Sequence, residues 1–133
     1  NLHSYLQVPT SMWGTYLRLR ITDFQLDKMN INISDENCPL RRTLEIIGGK
    51  WTMLIIFQIN ERTIRYGELK RCVVGISEKM LISQLKFLCD KGFVDKKSFA
   101  EIPPKVEYKL TAIGKELLPV INQIIQFGLN HKF

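Results

Sequence analysis

Between Gly75 and Gly92 every residue obeys one helical pattern, and that pattern limits the rest of the chain more than any other feature. Ser77 is a good N-cap, and Glu78 falls in the first turn, where the helix dipole favours a carboxylate. Leu81, Leu85 and Leu88 recur at helical spacing and predict a buried stripe. At about 100° per residue, Lys79, Ser83 and Lys86 point the other way. A leucine-backed helix with a lysine face needs a core beneath it, and the flanking segments must supply one.

They do so on both sides. Pro39 to Ile47 reads as a helix with proline in its first turn and Gly48-Gly49 ending it; Leu40, Leu44 and Ile47 are its apolar stripe. A second helix over about Trp51–Asn60 is apolar nearly all round and is expected to be the most buried element. Glu61-Arg62-Thr63 is a turn, Ile64-Arg65 a short extended piece, and Tyr66 to Val73 a third helix with Leu69 inward. The Val74-Gly75-Ile76 turn then leads into the helix at Ser77. Helix, glycine turn, helix is the helix-turn-helix arrangement, whose second helix enters the DNA major groove. Phe93–Phe99 and Lys105–Leu110 read as two strands joined by Ala100-Glu101-Ile102-Pro103-Pro104, which can continue neither. The hairpin is a wing with lysines on both arms. Thr111 caps a last helix whose apolar band, Leu117, Leu118, Ile121, Ile124, Ile125 and Leu129, is too broad for one small core. Leu118, Ile121, Ile124, Ile125 and Leu129 are therefore the expected contacts with a second copy. The predicted fold class is mainly α with a small β-hairpin wing.

Charge is unevenly placed along the chain. Residues 1–37 carry three basic and four acidic side chains, a net −1, whereas residues 38–133 carry 16 and nine, a net +7. A polyanion such as double-stranded DNA is the partner this implies. Residues 1–37 read as an arm and linker, with cap chemistry at Ser34–Asn37, and residues 38–133 as the folded domain. Met29 opens a stretch suited to start a native chain, so residues 1–28 read either as lying ahead of the natural start or as a dimerising arm. Trp13, Leu17, Ile21 and Phe24 fit a helix face, while Leu17–Ile21 alternates like a strand. The longest apolar run, Met53–Phe57, is far too short to span a membrane, and no secretory signal is visible, so the expected location is cytoplasmic.

These residues resemble the HxlR family of bacterial winged helix-turn-helix transcriptional regulators, relatives of the MarR type. The resemblance is carried by Cys38-Pro39, Ile46-Ile47-Gly48-Gly49-Lys50-Trp51, Arg65-Tyr66-Gly67-Glu68-Leu69, Gly75–Leu81, and Pro103–Thr111 followed by Gly114. It covers roughly residues 38–128 in order. It departs where the family often has a tryptophan late in the last helix; Phe127 is the nearest aromatic. The resemblance implies a dimer held by N- and C-terminal helices, a two-fold operator, and control by metabolites, aldehydes, quinones or oxidants.

The expected DNA contacts follow from position. Ser77, Lys79, Met80 and Ser83 lie on the first turns of the reading helix, where Lys79 can donate to guanine and Met80 can pack on a thymine methyl. Gln84 could pair with adenine but lies nearer the leucine stripe, and Lys86 continues the basic face. Lys96, Lys97 and Lys105 on the wing, with Lys50 and Arg65 at helix starts, would hold phosphates. The competing reading is a protein–protein module with an incidental basic face.

Cys38 precedes Pro39 at a helix start, where the dipole and the nearby Arg41 and Arg42 favour a thiolate. It reads either as a thiol open to oxidants or electrophiles or as a small packing residue, and several members of the resembled family sense through a cysteine there. Cys72 and Cys89 read as inert fillers. Three cysteines without CxxC spacing give neither a disulfide framework nor a zinc site, and His3 and His131 sit at opposite ends. Gly48-Gly49-Lys50 lacks the spacing and the preceding strand of a phosphate loop. No catalytic constellation emerges, so neither an enzyme nor a cofactor is expected.

Overall fold

A computed structural model describes residues 31, 32 and 34–133. The expectations for residues 1–28 lie outside that range. The chain divides into two compact units, Asn1–Arg42 and Thr43–Phe133. Ahead of the first helix, Asn32 and Asp35 build Asx turns: Ser34 N donates to Asn32 Oδ1 (3.0 Å) and Asn37 N to Asp35 Oδ1 (2.9 Å). Cys38 N donates to Asp35 O (3.0 Å), and helix α1 (Pro39–Ile47) starts with Arg42 N on Cys38 O (3.0 Å).

The second unit is organised on helix α2 (Thr52–Ile59), whose Thr52, Ile55, Ile56 and Ile59 are buried. After it come β1 (Ile64–Arg65), α3 (Tyr66–Cys72), α4 (Glu78–Asp90), β2 (Val94–Phe99), β3 (Lys105–Leu110) and α5 (Ala112–Asn130). One core joins them: the α2 isoleucines meet Ile64, Leu69, Val73, Ile76, the α4 leucines Leu81, Leu85 and Leu88, and Val94, Tyr108, Leu110 and Ile121. Each fully buried Leu or Ile contributes about 1.5–3 kcal/mol of apolar transfer, so this cluster is what holds the unit together.

The caps at Ser77 and Thr111 act as the sequence suggests. Ser77 Oγ accepts from Met80 N (3.1 Å), and Thr111 Oγ1 accepts from Gly114 N (3.1 Å). Gly75 and Gly92, on either side of α4, hold φ of +87° and +79°, the left-handed region that side chains avoid. Thr111 also donates its hydroxyl to Gly92 O (2.6 Å), while Thr111 N donates to Phe93 O (3.1 Å). The turn leaving α4 is thereby tied to the start of α5. Gly114 makes the tie close, because a Cβ there would overlap the Phe93 carbonyl oxygen.

The hairpin is larger than two strands. Ile64–Arg65 pairs antiparallel with β3, so the sheet runs β1-β3-β2, with Ile64 opposite Tyr108 and Arg65 opposite Glu107. On the other side Val94 pairs with Leu110, Lys96 with Tyr108, and Lys97 with Glu107.

Three expectations about burial change. Leu40 and Leu44 are more than half exposed, and no residue of α1 is buried, so its stripe is not a core element. Leu54 and Phe57 leave one side of α2 open, since an eight-residue helix in a small unit finds cover on only one face. Ile121 is buried in the unit's own core, and Leu118 is partly buried against it, so within the expected band these two also serve the protomer's own packing. The reason is geometric: they lie on the side of α5 that packs against α2.

Candidate nucleic-acid interface

With Leu81, Leu85 and Leu88 facing the core, Ser77, Lys79, Met80, Ser83 and Lys86 are all exposed along α4, and Ile82 joins them. Met80 keeps 40% of its surface open and Ile82 57%, which gives the outer side of the helix two apolar points between its polar ones. Gln84 is half-buried at the edge of this face. Its Oε1 accepts from the buried Thr52 hydroxyl (3.1 Å), a bond that pins α4 to α2, while its Nε2 reaches toward the exposed Met80 Sδ (3.9 Å). The sequence placed Gln84 beside the leucine stripe, and this bond is the reason it stays there.

The basic residues separate into distinct settings. Lys50 lies over the Trp51 ring at 4.6 Å. Arg65, Glu107 and Lys97 form a row across the three strands, because cross-strand partners share a face. Lys105 sits on that same face two residues before Glu107 and is bonded to it at 2.8 Å. Lys97 and Lys105 both lie over the Phe99 ring, at 4.9 and 4.6 Å. The hydrogen bond from Lys105 holds the Glu107 carboxyl below the usual carboxylate range; burial opposes this, and the fields of Lys105, Arg65 and Lys97 add to it. Lys105 is thus paired within the protein, because its neighbour on the face is an acid. Lys96 lies on the opposite face of the hairpin, beside Tyr108.

Glu107 and Ile82 are the residues that sequence reasoning missed here. Alternation along Lys105-Val106-Glu107 places the acid on the lysine's face, but only the register shows that Arg65 and Lys97 flank it. Cys38 is buried, with 3% of its surface exposed, against the open thiol that one sequence reading required. Cys89 is half-buried. Desolvation pushes its thiol up, Lys96 pulls it down, and Asp90 and Asp95 push it up again, so it stays protonated near neutrality. Among the described residues no group of three His, Cys, Asp or Glu side chains is placed to hold a metal ion, and no helix is long and apolar enough to cross a membrane.

A helix-turn-helix followed by a basic hairpin on the same core is the arrangement of a winged DNA-binding module. Residues 46–132 match the family model described as HxlR-like helix-turn-helix. The chain belongs to that family. Among the relatives of this HxlR-like protein is the HTH-type transcriptional regulator BH0655 of Halalkalibacterium halodurans, 43% identical over 102 residues, which covers 76% of this chain and 88% of the relative. A crystal structure of a MarR-family regulator from Porphyromonas gingivalis W83 shares 59% identity and superimposes with a TM-score of 0.73, covering 76% of this chain and 99% of that one. The redox regulator HypR in its oxidised form is 34% identical with a TM-score of 0.66, covering 72% of this chain and 99% of that one. The HxlR-like family is one of winged-helix transcriptional regulators, not of enzymes, and this chain is a DNA-binding regulator of that kind.

Proposed function

We propose that two copies of this HxlR-like protein bind a palindromic operator, with their α4 helices in successive major grooves about 34 Å apart. The exposed run Ser77, Lys79, Met80 and Ser83 on the first turns of a leucine-backed helix is the observation that carries the reading. Lys79 and Met80 read base edges; Lys86, Lys50, Arg65, Lys96 and Lys97 hold phosphates, and Lys105 serves through its bond to Glu107 rather than directly. Ile124, Ile125 and Leu129 of α5, together with the exposed Ile113, Val120 and Phe127, meet the second copy. Residues 38–133 form the regulator proper, and residues 1–37 an arm ahead of it.

A small molecule or an oxidant controls this binding by changing the spacing or tilt of the paired α4 helices. The likeness to the redox regulator HypR supports an oxidant acting at Cys38. Because Cys38 is buried, its modification requires its cover to open, and labelling by diamide is slow relative to an exposed thiol.

The test is binding of the full chain to its own upstream DNA and to a scrambled duplex, measured by fluorescence anisotropy across salt. Lys79→Ala lowers discrimination between the two, whereas Lys97→Ala weakens both alike and reduces the salt slope by about one unit. Equal losses on both duplexes for Lys79→Ala remove it from base reading. If Cys38→Ser protein still releases DNA on oxidation, the thiol assignment goes.

A further inference from the structure

We infer that Ile82 and Met80 form a pair of methyl readers, each packing on a thymine methyl, one on either strand of the half-site. Ile82 thereby becomes a specificity residue of α4, and the operator gains two fixed positions that the lysines do not set. The inference rests on the DNA-binding reading above and deepens it.

The placement follows from helix geometry. With the buried leucine stripe as the floor, about 100° per residue sets Lys79 and Ser83 near the outward direction. Met80 and Ile82 then stand roughly 70–90° to either side of it. Met80 is 40% exposed and Ile82 57%, so neither is enclosed by the protomer's own core. They face different neighbours. Ile82 looks onto the cleft between α3, α4 and the hairpin, whose walls also hold Arg65 and Lys96. Met80 lies on the side of α2: the Thr52 hydroxyl holds Gln84 Oε1 (3.1 Å), and Gln84 Nε2 donates to Met80 Sδ (3.9 Å). Each apolar point thus has basic residues on its own flank, Arg65 and Lys96 on one side and Lys50, just ahead of α2, on the other.

These features select duplex DNA as the occupant and thymine as the base. A protein interface keeps its apolar anchors together and its core poor in charge, whereas here Lys79, Ser83 and Lys86 run between the two apolar points. The major groove, about 12 Å wide, admits a helix about 10–12 Å across, so opposite flanks of α4 reach opposite walls. The apolar group that base edges offer there is the thymine C5 methyl. Cytosine at the same place has no methyl and sets its N4 amino group against an apolar side chain, a donor stripped of water without an acceptor. Ile82 is β-branched and stiff, so its contact is the sharper of the two; Met80 is flexible and depends on Gln84 to hold it.

The experiment uses the full chain and its own upstream DNA, with binding followed by anisotropy. Thymines are replaced by uracil one position at a time, each with its two-fold mate, which removes the C5 methyl and leaves base pairing intact. Burying one methyl is worth about fourfold in affinity, so a contacted pair should cost about fifteenfold. The wild type should show two such positions, on opposite strands of the half-site. Ile82→Ala should abolish the uracil effect at one position and Met80→Ala at the other, each leaving its counterpart in place. Both side chains are exposed, so both variants should keep the wild-type urea midpoint, which separates lost contact from lost fold. Suppose no uracil position matters although the protein still prefers its upstream DNA to a scrambled duplex: the methyl contacts are then wrong and the DNA-binding reading stands. Uracil effects that persist unchanged in Ile82→Ala or Met80→Ala would likewise overturn the pair, and two positions on one strand would overturn its placement across the groove. Failure to bind any duplex would overturn the DNA-binding reading and this inference together.

Discussion

Replacing Thr111 by valine tests whether the tie between α4 and α5 is a real structural joint. Valine keeps the shape and branching of threonine and removes only the hydroxyl. Two hydrogen bonds go with it: the cap accepted from Gly114 N at 3.1 Å and the bond donated to Gly92 O at 2.6 Å. Loss of an N-cap side chain costs about 1 kcal/mol. The second bond is exposed and neutral, so it stands near the low end of the usual range, about 0.5 kcal/mol. The expected loss is therefore about 1.5 kcal/mol, read as a lower urea midpoint at fixed protein concentration with an unchanged slope. Thr111→Ser keeps both bonds and should lose under about 0.5 kcal/mol. Faster hydrogen exchange should appear at the Gly92 and Phe93 amides in Thr111→Val and not in Thr111→Ser. If valine costs no more than serine does, the joint contributes nothing and the argument from these two bonds is wrong.

Other outcomes follow from the same geometry. Glu107→Gln frees Lys105 and removes a negative charge from the wing, so affinity for scrambled DNA should rise and its salt slope steepen by about 0.9, read by anisotropy. The folded-state pKa of Glu107 is depressed, so its contribution to stability is present above the ordinary carboxylate range and fades as pH falls through the depressed value. Acid titration of Glu107→Gln should lack that part of the decline. Leu85→Ala, at a position 2% exposed, should cost about 2–5 kcal/mol in denaturant unfolding. Ile124→Ser with Leu129→Ser should shift sedimentation toward the monomer without changing the helical circular dichroism, because both side chains are exposed in the protomer.

What the sequence disclosed depended on how far along the chain each cause lies. Ser77, Gly75, Gly92 and Thr111 act on backbone within a few residues, so the ends of α4 and the start of α5 could be read directly. The fate of Ile64–Arg65 could not, since its partners Tyr108 and Glu107 lie more than forty positions later. The same distance hid the setting of Glu107, whose neighbours Arg65 and Lys97 come from two other strands. Periodicity marked an apolar band on α5 but did not say which side meets α2; Ile121 went to the core and Ile124 stayed outside. The exposed face of α4 was legible because a leucine stripe defines its own opposite. The cleft was not, since its walls come from α3, α4 and both arms of the hairpin.

The brief strand Ile64–Arg65 has a mechanical consequence. It clips the segment entering α3 to the middle of the sheet, while β2 clips the segment leaving α4 to the same middle strand. Both ends of the helix pair are thus anchored to one ribbon, like a bucket handle fixed at two lugs. In the pair of copies proposed above, a signal reaching α5 would therefore swing each α4 together with its ribbon and alter the gap between the two.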